Sequence, residues 1–199
     1  MIACGLAVIT AIPGYSANLV VNPGFETGDF TGWVADSSTY LYVDTANPHS
    51  GTYSAHMGNN GSLATLGQAL ATTAGGTYTL SFFLQVNDSG TPNEFKVIWD
   101  GTTIFDQTDM TAAPYSLYTF TNLVASSAST DLQFLHRHDP DHFFLDDISV
   151  LDEKSITDAP IPEPGQFGLL CLGSMMLVAA AFRRRAALNR AGLETLGRR

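Results

Sequence analysis

Cysteine is almost absent from this chain: its 199 residues include only Cys4 and Cys171. Both lie in apolar stretches close to the two ends of the sequence, so the polar middle of the chain has no cysteine. A disulfide therefore cannot hold this middle region together. Its stability must come from a hydrophobic core, with a bound ion as a further source.

Basic residues are also scarce in the middle of the chain. Between residues 18 and 160, Lys96, Arg137 and Lys154 stand against seventeen acidic residues, and the other six basic residues are arginines that follow a C-terminal apolar run. So acidic a region cannot neutralise phosphate groups. Nucleic acid is therefore excluded as a partner.

A helical apolar period is missing from residues 18–151, where short runs rich in β-branched and aromatic residues alternate with turns. This spacing predicts an all-β sandwich. Asp100-Gly101 is a strong signal for a two-residue hairpin. In the run 77–86 every second residue, starting at Tyr78, is apolar and predicts the core face. The predicted strands are Leu19–Val21, Tyr40–Thr45, Tyr53–Met57, Ala64–Leu70, Thr77–Val86, Glu94–Trp99, Thr102–Gln107, Ser116–Ala125, Thr130–Arg137 and Phe143–Leu151.

The apolar segments at the two ends are typical of targeting signals. Residues 1–17 indicate a secretory signal with cleavage after Ala17, the alternative being a buried first strand. Residues 165–182 carry no charge and predict a transmembrane helix, the alternative being a buried core helix. Residues 152–164 form a proline-containing linker before that helix, and residues 183–199 form a basic tail expected on the cytoplasmic side.

Three features of the C-terminal segment occur in a characteristic order: Pro162-Glu163-Pro164, the apolar span, and Arg183-Arg184-Arg185. This order resembles the PEP-CTERM sorting signal of exported bacterial proteins. The resemblance implies an exosortase-type processing enzyme as a partner, cleavage near the Pro-Glu-Pro motif, and a location at the cell surface or in the extracellular matrix. Such tails are sometimes labelled ice-binding protein C-terminal domains, a label that describes sorting and not ice.

A second resemblance covers almost the whole middle region. Three motifs appear in order: Asn22-Pro23-Gly24-Phe25-Glu26 through Gly32-Trp33, then His49-Ser50-Gly51-Thr52-Tyr53, and last Phe144-Leu145-Asp146-Asp147-Ile148. They resemble the galactose-binding-like jelly roll of carbohydrate-binding modules of the CenC type. The resemblance implies a jelly-roll β-sandwich and, less specifically, a carbohydrate ligand.

The same resemblance implies a structural calcium ion. Its ligands would be Glu26, the main chain at His49 and Gly51, and Asp146 or Asp147. Calcium prefers several oxygen ligands, and these groups would tie the first motif to the last strand. If Ile148 and Val150 face the core, strand alternation puts Asp146 on their side, which favours Asp146 over Asp147. The alternative is a pair of solvated turn carboxylates.

A glycan platform is the second predicted site. Sugars stack their C–H faces on aromatic rings, and their hydroxyl groups need amide or carboxylate partners. The strand residues that could supply these groups are Trp99, Tyr40, Tyr42, Phe83, Gln85, Gln133 and Arg137. Phe83, Gln85, Gln133 and Arg137 are expected to share one face. Core packing is the alternative for Trp99 and the stronger expectation for Trp33.

The histidines of the run His136-Arg137-His138-Asp139-Pro140-Asp141-His142 are a third candidate, for a transition metal, but a solvated loop is the favoured interpretation. Nucleophile elbow, zinc-protease and phosphate-loop motifs are all missing. The sequence therefore predicts an exported, non-catalytic protein that interacts with exopolysaccharide. The alternatives are a purely structural matrix or adhesion protein and, less favoured, a glycan-active enzyme.

Overall fold

The computed structural model describes residues 17–139 and 141–154, in which the alternating runs of the sequence form ten β-strands. The strands are β1 (Val34–Ala35), β2 (Leu41–Asp44), β3 (Ser54–Met57), β4 (Ala64–Ala71), β5 (Thr77–Val86), β6 (Asn93–Trp99), β7 (Thr102–Thr108), β8 (Ala113–Val124), β9 (Ser129–His138) and β10 (Phe143–Asp152).

The strands form two five-stranded sheets. Sheet A has the order β1-β4-β9-β6-β7, and sheet B has the order β2-β3-β10-β5-β8. Neighbouring strands within each sheet are antiparallel. The inner faces of the two sheets enclose a core rich in phenylalanine, in which Phe82 of sheet B meets Phe134 of sheet A edge to face at 5.2 Å. The predicted all-β sandwich is confirmed.

Strand β5 explains how the sequence selects the core face. Its burial alternates along its whole length, with Tyr78, Leu80, Phe82, Leu84 and Val86 buried and the residues between them partly exposed. This is the predicted face. The hairpin between β6 and β7 is also as predicted, because Asp100 and Gly101 adopt φ values of 50° and 75°.

The prediction and the structure differ at two places: one predicted strand is not observed, and one observed strand was not predicted. Leu19–Val21 is not a regular strand, because a side chain takes the place of a neighbouring strand: Val21 N donates to Gln68 Oε1 at 2.8 Å, and Gln68 Nε2 donates to Val21 O at 3.0 Å. The two-residue strand β1 was not predicted. Its length is too short to give an alternation signal.

A β-bulge in β10 changes the face on which the acidic pair lies. The register with β5 shifts between Asp146 and Ser149, and Asp147 takes a φ of 50°. Asp146 therefore pairs with Phe83 on the outer side of sheet B, whereas Ile148 and Val150 are buried in the core. The expectation that Asp146 shares their side is wrong, because simple alternation does not continue through a bulge.

The predicted terminal segments fall almost wholly outside the described residues. They are the signal-like segment 1–17, the linker 152–164, the transmembrane helix 165–182 and the basic tail 183–199. Within residues 17–139 and 141–154, no helix is both long and apolar enough to span a membrane.

Candidate functional site

A groove of about 250 Å³ crosses the outer face of sheet A at strands β1, β4 and β9. Its position follows from the pairing of these strands. Val34 of β1 is paired with Gly67 of β4, and Gly67 is paired with Gln133 of β9. Because Gly67 has no side chain, the row of side chains across the three strands has a gap between Val34 and Gln133. This gap forms the floor of the groove.

The packing around Gly67 shows how close its neighbours come. A Cβ atom at this position would lie 3.3 Å from Leu132 O and 3.4 Å from Gln133 Cγ. A glycine inside a strand often marks a close approach of this kind. The sequence therefore contained a signal for the groove, and sequence analysis missed it.

The lining of the groove is mixed, with Val34, Ala69 and Leu132 among its apolar residues. The side chain of Val34 is 78% exposed. Asp36, Asp131 and Gln133 supply carboxylate and amide groups at the rim. The position of Asp36 is fixed, because its Oδ2 accepts a hydrogen bond from Thr65 N at 2.8 Å. Such groups can hydrogen-bond hydroxyl groups while Val34 contacts an apolar face.

The residues of the predicted glycan platform are divided between the two sheets. Gln133 and Arg137 lie on the outer face of sheet A, whereas Phe83 and Gln85 lie on the outer face of sheet B. The expectation that all four share one face is wrong. Alternation shows which residues leave the core, but it does not show which sheet a strand joins.

Trp99 is a further correction. Its side chain is 3% exposed, packs in the core next to Tyr78, and donates a hydrogen bond from Nε1 to Val124 O at 2.9 Å. A buried indole cannot stack on a sugar. Trp33 is buried as predicted. Tyr42 is exposed on the outer face of sheet B, and Tyr40 is exposed in the turn that precedes β2.

The residues of the predicted calcium site do come together. Glu26, Asp146 and Asp147 border a single glycine, because a Cβ atom on Gly24 would lie 3.4 Å from Asp146 Oδ1, 3.5 Å from Asp147 Oδ1 and 3.8 Å from Glu26 Cγ. Asp146 is fully buried. Burial raises the pKa of its carboxyl to about 6; hydrogen bonds from the main chain oppose the shift, and the charge of Asp147 adds to it.

The segment 49–53 contacts these carboxylates through N–H groups. His49 N and Ser50 N donate to Asp146 Oδ2 at 2.8 Å and 3.1 Å. Thr52 N donates to Glu26 Oε1 at 2.9 Å. These hydrogen bonds hold the segment against the acidic side chains.

The residue types fit calcium in chemistry, since the acidic side chains of Glu26, Asp146 and Asp147, from two distant parts of the chain, all border Gly24. Within the described residues, however, no group of three or more His, Cys, Asp or Glu side chains is placed to hold a metal ion. A calcium ion would therefore need main-chain oxygens as well as the carboxylates of Glu26 and Asp146.

The histidine run is not a solvated loop, contrary to the favoured interpretation. His136 and His138 lie on β9 and are fully buried, while Arg137 between them faces outward and binds Asp139 through Nη2 at 2.7 Å. Burial lowers the pKa of the His136 imidazole to about 4, with the main chain of Met57 and the charge of Asp36 opposing the shift. Strand alternation alone would have placed both rings on one buried face.

A second cavity, of about 600 Å³, lies beside the β7–β8 connection. Its walls include Val86 and Tyr118 from sheet B and Gln107 and Asp109 from the β7 side. Asp106 also borders it, but its Oδ2 already binds Lys96 Nζ at 3.1 Å. This cavity is larger than the groove. A substitution on its wall can therefore serve as a control for a substitution in the groove.

The C-terminal segment was compared with known protein families. Residues 160–185 match the family model described as the PEP-CTERM protein-sorting motif. The chain carries a PEP-CTERM sorting motif. The motif marks it as an exported protein sorted to the cell surface, and the predicted resemblance is confirmed. No curated protein matches this PEP-CTERM chain significantly.

The sandwich was compared with solved structures. A family 61 carbohydrate-binding module in complex with β-1,4-galactotriose is similar, with a TM-score of 0.55, 23% identity, and coverage of 69% of this chain and 99% of the module. A family 16 carbohydrate-binding module gives a TM-score of 0.53, 19% identity, and coverage of 68% of this chain and 100% of the module. A family 22 xylan-binding domain gives a TM-score of 0.52, 18% identity, and coverage of 68% of this chain and 96% of the domain. The fold is that of carbohydrate-binding jelly rolls.

Proposed function

We propose that this PEP-CTERM chain is a non-catalytic carbohydrate-binding protein of the cell surface, and that its glycan site is the groove across β1, β4 and β9. The observation that carries the proposal is the gap above Gly67 on the outer face of sheet A. A site carried by three hydrogen-bonded strands is rigid, and rigidity reduces the entropy lost on binding.

The groups around the groove are those a sugar requires. The amide of Gln133 can both donate and accept hydrogen bonds, and the carboxylates of Asp36 and Asp131 can accept them from hydroxyl groups. The exposed methyl groups of Val34 offer an apolar contact for the C–H face of a pyranose ring. Solved modules with the same fold, among them the one that holds β-1,4-galactotriose, support this class of ligand.

The sorting motif supports the location of this activity. A protein delivered to the envelope and processed there by an exosortase-type enzyme meets polysaccharide rather than cytoplasmic metabolites. We propose that the chain is anchored in the membrane by residues 165–182 before processing, and that afterwards it belongs to the cell surface or an exopolysaccharide matrix.

Binding of the purified full-length chain to a polysaccharide array tests the glycan proposal. Gln133→Ala should weaken binding to the polysaccharide identified on the array by about fivefold or more, the effect of losing about 1 kcal/mol of hydrogen bonding. Gln107→Ala removes the same side chain from the edge of sheet A beside the larger cavity, and it should leave binding unchanged.

Two results would contradict the groove as the site. Loss of binding in Gln107→Ala with retention in Gln133→Ala would move the site to the larger cavity. If the wild-type chain binds no polysaccharide on the array, the chain is a purely structural matrix or adhesion protein.

We propose in addition that calcium binds at Glu26 and Asp146 and stabilises the sandwich. The carboxylates of Asp146 and Asp147 beside Gly24, with the side chain of Glu26 next to them, support this, and Asp146 is fully buried. A ligand that binds only the folded state at about 100 times its Kd adds about 2.7 kcal/mol of stability. A chelator should therefore lower the melting temperature of the wild-type chain, and calcium should restore it, whereas Asp146→Asn should not respond. A melting temperature that chelator leaves unchanged would rule out the ion.

A further inference from the structure

Four rings pack together on the outer face of sheet B: Tyr42, His56, His142 and Phe144. We call them the ring cluster. The rings of Tyr42 and His56 are stacked with centroids 4.7 Å apart, and His56 meets His142 at 5.6 Å and Phe144 at 4.4 Å. Strand pairing explains the arrangement, since Tyr42 of β2 is opposite His56 of β3, and His56 is opposite Phe144 of β10.

Tyr42 is the accessible member of the ring cluster. Its side chain is 38% exposed, whereas His56 beneath it is 5% exposed. The two ring planes differ by 26°, so the imidazole supports the phenol ring from below. The exposed face of Tyr42 is therefore a flat apolar surface with restricted motion, which is what a stacking ligand requires.

Two carboxylates adjoin the ring cluster. Asp44 Oδ1 lies 2.7 Å from His56 Nε2, and Asp141 Oδ1 lies 3.2 Å from His142 Nδ1. Both carboxylates are placed near Tyr42: Asp44 follows it by two residues on β2, and Asp141 contacts His142, whose ring centroid lies 5.9 Å from that of Tyr42. Burial lowers the pKa of His56, so its ring is neutral at neutral pH and does not cancel the charge of Asp44.

Two basic residues in the described part of the chain form ion pairs away from the ring cluster. Lys96 binds Glu94 and Asp106, and Arg137 binds Asp139, in both cases on the outer side of sheet A. Within the ring cluster, His56 Nδ1 and His142 Nε2 are buried and have no hydrogen-bond partner among the described residues. Unpaired buried polar atoms are unusual in a folded protein.

We propose that the ring cluster, together with Asp44 and Asp141, is a second glycan-binding site, selective for a polysaccharide that carries free amino sugars. The pyranose C–H face would lie on the exposed ring of Tyr42, and the ammonium group would bind the two carboxylates. A lysine side chain offers the ammonium group without a flat face for the ring, so a glycan fits better than a basic peptide. This site does not depend on the groove of sheet A. If the proposed groove of sheet A also binds glycan, sites on opposite sheets would let one molecule cross-link two polysaccharide chains.

Isothermal titration of the full-length chain with a β-1,4-linked glucosamine hexamer tests this proposal. The hexamer should bind at least about tenfold more tightly than its N-acetylated counterpart, because acetylation removes the charge. Tyr42→Ala should weaken binding by about tenfold or more, while Tyr42→Phe keeps the ring and stays near wild type. Asp44→Asn should weaken binding, whereas Asp109→Asn removes the same charge beside the larger cavity and should not. Melting curves confirm that each variant is folded.

Four results would overturn the proposal. They are equal affinity for the two hexamers, unchanged affinity in folded Tyr42→Ala, an equal loss in Asp44→Asn and Asp109→Asn, and a loss of hexalysine binding in Tyr42→Ala as large as the loss of glucosamine binding. The third result would indicate general charge attraction, and the fourth would indicate a basic peptide as the partner. The array measurement with Gln133→Ala tests the groove and the titration with Tyr42→Ala tests the ring cluster, so failure of the groove and failure of the ring cluster are distinguishable.

Discussion

The imidazole of His49 lies on the ring of Phe83, with the two centroids 3.6 Å apart and the ring planes 16° apart. His49 Nδ1 also lies 2.7 Å from Asp147 Oδ2. The segment 49–53 therefore covers an aromatic side chain that would otherwise be open to solvent. Phe83, predicted as part of a glycan platform, has its face occupied by a residue of the same chain.

Replacing His49 should reveal how much the stacking of its ring on Phe83 contributes to stability. His49→Ala removes the stacked ring and the contact with Asp147, so we expect a loss of about 1–2 kcal/mol in the free energy of unfolding. Chemical denaturation measures it. Tyr40→Ala, which removes an exposed ring, is the matched control and should change stability by less than about 0.5 kcal/mol. Equal effects of the two substitutions would mean that the cover adds nothing to stability.

Trp99 is expected to matter for stability and not for sugar binding. Trp99→Phe leaves Val124 O without its indole donor and leaves space in the core, so unfolding should become about 1–3 kcal/mol easier. Denaturation and glycan binding are measured on the same sample. A folded variant that loses glycan binding would show that the indole contributes to the site after all.

His136 should make the protein less stable in mild acid. Its pKa is about 4 in the folded state, below the usual value of 6.5, so the unfolded state binds the proton first. Stability is therefore complete above about pH 6.5 and decreases as the pH falls toward about 4, by up to about 3 kcal/mol. The difference between wild type and His136→Leu isolates this effect, because the other titrating groups are common to both proteins.

Denaturant unfolding at a series of pH values measures that difference. Relative to His136→Leu, the wild-type protein should lose stability between about pH 6.5 and pH 4 and remain constant above this range. Parallel pH profiles for the two proteins would mean that His136 is not buried as a neutral ring.

Processing at the sorting motif should depend on its acidic residue. In the native host, Glu163→Ala should keep the protein in the membrane fraction at its unprocessed mass, whereas the wild-type chain should appear at a lower mass at the cell surface. Asp158→Ala changes an acidic residue outside the motif and should be processed normally. Mass spectrometry of both fractions measures this, and normal processing of Glu163→Ala would contradict a role for the motif in cleavage.

Strand positions were predictable because burial on one face leaves a period of two in the sequence. The run that became β5 has this period throughout, and its five core residues followed from it. Asp100-Gly101 was predictable for a different reason, since few residues tolerate positive φ at both positions of a hairpin turn. Local chemistry determines both features.

The site was less predictable because it depends on partners that are distant in sequence. Phe83 and Gln133 both alternate away from a core, but the assignment of β5 to sheet B and β9 to sheet A is a property of the whole topology. The bulge at Asp147 interrupts the alternation used for Asp146. The ring cluster consists of residues from β2, β3, β10 and the β9–β10 connection. No short sequence motif therefore predicts it.

The groove on sheet A is best tested by following backbone amide chemical shifts of the isotope-labelled full-length chain during titration with a bound oligosaccharide. We expect the largest changes at Thr65, Gly67 and Gln133 and their neighbours, with little change along β8 at the edge of sheet B. Changes confined to the β7–β8 connection, or no saturable change on sheet A, would show that the groove is not where this protein binds carbohydrate.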